Sequence, residues 1–90
     1  MTAWPHELDA LLDALRRERS LPVQERGTGA ADASLDAVIA LCAQAVTAGH
    51  AERDEASREA LRRMARLAVD EWSLGAQLTA QVAEVASRAG

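Results

Sequence analysis

From Ala51 to Ala89 the chain reads AERDEASREALRRMARLAVDEWSLGAQLTAQVAEVASRA, with no proline and a single glycine. At 100° per residue, Leu61, Met64, Ala65, Leu67, Ala68, Trp72, Leu74, Leu78, Val82, Val85 and Ala86 share one half of a helical wheel. Arg62, Arg63, Arg66, Asp70, Ser73, Gln77, Gln81, Glu84 and Arg88 occupy the other half. The polar stripe holds its phase through Gly75, where a loop would ordinarily reset it. The spacing therefore predicts one helix over about 51–89, roughly 55 Å long at ~1.5 Å per residue. Two shorter companions are not expected to cover the apolar flank of so long a rod, and uncovered apolar surface marks association.

The alternative is a break near Ser73–Gly75, which gives four helices of about fifteen to twenty residues and a four-helix bundle. Against a break, the stretch Asp70 to Gln77 holds no proline, no asparagine and no second glycine. A glycine inside a helix costs only ~1 kcal/mol. On this reading the fold class is all-α: a small bundle of two shorter helices packed on a long C-terminal helix.

Composition supports that class. Ninety residues support one core, so the chain reads as a single helical domain over 1–90. Phe and Tyr are absent and Trp4 and Trp72 are the only aromatics, which leaves alanine, leucine and valine to fill the interior. Alanine is the strongest helix former and β-branched residues are scattered. All ten basic residues are arginine. Together with the abundant alanine, that usage matches a GC-rich bacterial genome.

The first helix is expected over about 5–19. Pro5 suits a first turn, where its missing N–H is no loss. Trp4, Leu8, Leu11, Leu12 and Leu15 form a narrow apolar stripe, with Trp4 placed to staple back onto Leu8. Residues 20–32 read as a flexible linker punctuated by Pro22, Gly27 and Gly29, its first half pinned by Leu21 and Val23. The Gly27-Thr28-Gly29 run has no preceding strand and no following lysine, so it is not a phosphate loop.

The second helix is expected over about 33–48, capped by Asp32 or Ser34 and stopped at Gly49. Leu35, Val38, Ile39, Cys42 and Val46 form its large apolar face. Ala33, Ala37, Ala40 and Ala48, with Asp36, Gln44 and Thr47, form the other. A helix with so little charge is expected to be covered on more than one side, and the alanine face marks close helix–helix contact within the chain or with a partner.

Glu71 is the one charge within the apolar half of the wheel between Ala60 and Ala89. Unpaired burial would cost several kcal/mol, so it is expected at an edge, against an arginine, or at an oligomer contact. Trp72 beside it reads as core, or as an interface anchor if exposed. Arg58, Arg62, Arg63 and Arg66, with Arg16, Arg17 and Arg19, read as a salt-bridged solvent face able to receive an acidic partner. Expected pairs are Asp13–Arg17, Asp54–Arg58, Glu59–Arg63 and Arg66–Asp70. Glu71, Trp72, Arg58, Arg62, Arg66, Ala37 and Ala40 are thus the candidate partner contacts.

Chemistry finds little support in the sequence. His6 and His50 stand in separate elements without a metal-binding spacing, no serine sits in a nucleophile elbow, and Cys42 reads as a small core residue. No catalytic residue, metal or cofactor is expected. A formal net charge of −4 disfavours general nucleic-acid binding. No run approaches the ~18 apolar residues of a membrane span. The amino terminus lacks a signal-peptide pattern and the lone cysteine excludes an internal disulfide, so a cytoplasmic protein is expected.

The expected function is a non-enzymatic helical interaction protein, an oligomerising adaptor or accessory subunit with a protein partner, self or heterologous. One alternative is a small regulatory protein such as an antitoxin or transcriptional accessory factor. Another is a bundle binding a small apolar ligand, which requires a cavity of ~300 Å³ or more lined by Val38, Cys42, Met64 and Trp72.

Overall fold

The computed structural model describes residues 4–50, 53–73 and 75–89, with side chains over 7–50, 53, 55–73 and 75–88. Four α-helices follow in order: α1 (Trp4–Ser20), α2 (Asp32–His50), α3 (Asp54–Glu71) and α4 (Gln77–Ala89). No strand occurs among the described residues. Each helix packs on its neighbours in the ring α1–α2–α3–α4–α1, leaving α1 diagonal to α3 and α2 diagonal to α4.

Successive helices run antiparallel, as the cross-links between their ends show. Arg19 near the end of α1 pairs with Asp36 near the start of α2 at 2.8 Å. Near the start of α1, Asp9 meets His50 at the end of α2 at 3.9 Å. Arg88 at the far end of α4 bonds Glu7 at the start of α1. The result is an up-down-up-down bundle measuring 38 × 20 × 19 Å.

The core is built largely from the predicted stripes, with Leu41, Ala45 and Ala60 added and with Ile39 and Val46 of the expected α2 face only half-buried. Leu8, Leu11, Leu12 and Leu15 come from α1, Leu35, Val38, Leu41, Cys42 and Ala45 from α2, and Ala60, Leu61, Met64 and Ala68 from α3. Trp72, Val82 and Val85 complete it. Small residues let α2 and α3 approach closely. Ala45, Ala48, Ser57 and Ala60 are all buried, and Ser57 Oγ donates to the Ala45 carbonyl at 2.9 Å. That bond satisfies a hydroxyl which would otherwise be stranded in the interior.

The continuous C-terminal helix does not exist in this structure. α3 ends at Glu71, and Trp72 turns extended at φ −104°, ψ 163° while its N–H still bonds the Ala68 carbonyl. Bending brings α4 back over α1 and α3 and buries Thr79, Val82 and Val85 within the same chain. The uncovered apolar flank expected of a rod is therefore sheltered. The break also solves the problem of Glu71. Ending the helix there leaves its carboxylate exposed and sends the Trp72 ring into the core at 4 % exposure. Burial of the ring outweighs the few helical hydrogen bonds given up.

Residues 20–32 are ordered by an arginine, not by their apolar side chains. Leu21 and Val23 are exposed, whereas Arg26 is 7 % exposed. Its guanidinium donates to the carbonyls of Glu18, Arg19, Leu21 and Ala30 and pairs with Asp32 at 2.7 Å. Helix ends leave carbonyls without partners; at the end of α1 Arg26 satisfies that of Arg19 and shares that of Glu18 with the Leu21 N–H. A 3-10 turn at Val23–Glu25 follows Pro22, and Gly29 takes φ +67°, a conformation that favours glycine. Thr28 is buried, and its N–H and Oγ1 both donate to Glu18.

At the other helix ends, α2 runs past Gly49 to His50, and both Asp32 and Ser34 lie inside it, not ahead of it as a cap. The Trp4 staple, the His6 side chain and the Asp54–Arg58 pair lie outside the described side chains.

Candidate functional site

The outer side of α2 is the broadest uncharged helix face among the described residues. Ala33, Ala37, Ala40, Gln44 and Thr47 recur at intervals of four and three, and all are exposed. Such intervals place them in one stripe. Asp36 is the only charged residue between Leu35 and Gly49, and it is held at the α1 side by Arg19. Against the expectation that no run approaches a membrane span, α2 is long and apolar enough by length and composition to cross one, with mean hydropathy 1.2, and only 28 % of its most apolar stretch is buried inside the bundle. Its inner side is fully used, so the surplus apolar character lies outside.

An open groove of about 440 Å³ borders this face between α2 and the start of α3. Ala40, Ala43, Gln44 and Thr47 form one wall, Arg53 and Ala56 the other. A larger open groove, about 660 Å³, lies where the end of α1 and the linker meet the start of α4. Ala14, Leu21 and Leu78 supply its apolar surface, and Arg17, Gln77 and Gln81 its polar groups. Neither groove is lined by Val38, Cys42, Met64 or Trp72, the residues expected around an apolar ligand. Those four are buried in the core instead.

The candidate contacts separate into three groups. Ala37 and Ala40 stand exposed on the α2 face. Trp72 is not a surface anchor: it is core, and its indole N–H donates to Ser34 Oγ at 2.8 Å. Glu71, Arg58, Arg62 and Arg66 are exposed on α3. Arg62 pairs with Glu59 at 2.8 Å, so Glu59 is bound at i+3, where the sequence suggested Arg63 at i+4. That ion pair holds the Glu59 carboxyl below the usual carboxylate range. The arginines of α1 and those of α3 sit on diagonal helices.

Among the described residues no group of three or more His, Cys, Asp or Glu side chains could hold a metal ion. Cys42 is fully buried, its Sγ 3.8 Å from the Leu8 carbonyl, and burial pushes the thiol up to about 12. A thiol so placed is a poor nucleophile.

Arg26, Thr28, Ser34 and Ser57 organise the polar interior, and sequence reasoning singled out none of them for that work. Nothing in the spacing of Arg26 separates it from the surface arginines; only the returning loop places it over the end of α1. Comparison with protein-family models, with curated proteins and with solved structures finds no match.

Proposed function

We propose that the protein is a non-enzymatic helical interaction module, an oligomerising adaptor or accessory subunit. It works by docking the outer face of α2 against a protein partner. The observation that carries this reading is the exposed stripe Ala33, Ala37, Ala40, Gln44 and Thr47, which is itself uncharged, with Asp36 at its edge held by Arg19. Small side chains permit backbones to come close, and the neighbouring groove offers space for a protruding side chain. The apolar flank of the C-terminal residues no longer contributes, because the chain buries it itself.

The test is solution mass by light scattering at low and high concentration, for the wild type and for Ala37→Glu/Ala40→Glu. Both positions are exposed, so the bundle is expected to fold. A mass above the 9.6 kDa monomer that falls in the variant supports the reading. A wild type and a variant of equal mass at every concentration remove self-association through this face.

A further inference from the structure

The geometry points to a second assembled state, in which α3 and α4 straighten into one helix and two copies exchange their α4 segments. This rests on the self-association arm of the proposed function but uses a different surface. Ser57, Leu61, Met64, Ala68 and Trp72 are buried from α3 and its end, and Thr79 and Val82 from α4, with Ala86 half-buried. Their spacings are four, three, four, four, seven, three and four. That is the stripe of one uninterrupted helix, with Gly75 filling the gap of seven. In the bent chain the two halves of the stripe face a shared core from opposite sides. In a straight helix they lie on one face, which two chains side by side can each complete.

The seat for the exchanged segment is already visible, because the chain's own α4 occupies it. α4 packs on α3 and more lightly on α1. Val82 and Val85 fill the core, and Arg88 closes on Glu7. A second copy's α4 would make the same contacts, so complementarity is inherent in the sequence. Straightening adds backbone hydrogen bonds across residues 73–77, at the cost of associating two chains.

Three features hold the chain in its closed form. Ser73 N–H bonds the Thr28 carbonyl at 3.1 Å, tying the bend to the linker. Gly75 is a weak helix former, yet a Cβ there would meet nothing within 4 Å and its φ is not positive. The bend does not require glycine. Glu71 lies three residues after Ala68 and four before Gly75, so straightening would carry its exposed carboxylate into the apolar stripe. Removing the last two of these features should favour exchange while leaving the closed chain intact.

Glu71→Ala/Gly75→Ala is expected to dimerise at least about tenfold more tightly than wild type by sedimentation after refolding. Exchange is then read with two further chains on that background, one Glu7→Arg and one Arg88→Glu. Each alone sets like charges against each other in its closed form and in its homodimer. Unfolded together and refolded, they restore both pairs only by exchanging α4, so mixed dimers should exceed the statistical half, by about threefold over either homodimer beyond chance. A chain carrying both substitutions restores the pair within itself and serves as the folding control. Dimers in statistical proportion would overturn exchange and leave side-by-side association in place. Monomers throughout would overturn both exchange and self-association.

Discussion

The indole N–H of Trp72 donates to the hydroxyl of Ser34 at 2.8 Å, joining the end of α3 to the first turn of α2 across 38 positions of sequence. The ring is 4 % exposed. Each group is the other's answer to burial, since an indole donor shut away from water without an acceptor is costly.

Ser34→Ala therefore leaves that donor stranded. Stability should fall by about 1–3 kcal/mol, measured by urea unfolding followed by far-ultraviolet circular dichroism. A loss under about 0.5 kcal/mol, the range of an ordinary surface substitution, would show that the bond contributes nothing.

Arg26 is the other buried polar hub. Arg26→Ala removes the donor to the carbonyls of Arg19, Leu21 and Ala30, and leaves that of Glu18 to the Leu21 N–H alone, and should cost about 3 kcal/mol or more. Arg26→Lys should recover only part of this, because an ammonium lacks the planar fork that reaches several acceptors. Equal stability of the lysine variant and the wild type would show that charge alone suffices.

Acid should loosen the same corner. The hydrogen bond from Arg26, reinforced by the charges of Arg19 and Arg26, holds the Asp32 carboxyl below its ordinary value. A carboxylate with a lowered folded pKa contributes stability above its unfolded pKa, and that contribution is lost as pH falls through the folded one. Asp32→Asn should flatten the stability profile across the acidic carboxylate range while leaving its shape near neutrality unchanged. An identical acid limb in both proteins would assign the loss to other groups.

Cys42 should resist thiol reagents in the folded protein. Its thiol is fully buried and pushed up to about 12, so at pH 8 modification requires opening of the bundle. Labelling by an aromatic disulfide reagent should follow the global unfolding rate and accelerate in Ser34→Ala. Rapid stoichiometric labelling without denaturant would contradict the packing around Leu8 and α2.

Thr79 Oγ1 is buried with no hydrogen-bond partner among the described residues. Thr79→Val exchanges that hydroxyl for a methyl of similar shape and should raise stability by about 1 kcal/mol. Destabilisation in urea would mean that the hydroxyl is satisfied in solution.

The all-α class and most of the large side chains of the core followed from the sequence alone. Leu8, Leu11, Leu15, Leu35, Val38, Leu61, Met64 and Val82 lie on stripes that any helix with this order of residues must present, and all are buried. Periodicity records which face is apolar, and the interior accepts that face. It does not record where a helix ends when the phase is the same on both sides. By pattern the residues after Glu71 favour a straight helix, because the polar phase carries through Gly75. The tertiary structure chose the bend, because folding α4 back buries Trp72, Val82 and Val85 and keeps the Glu71 carboxylate in water. Arg26 became a hub for the same kind of reason: its partners are backbone carbonyls, which every residue carries and no sequence pattern marks.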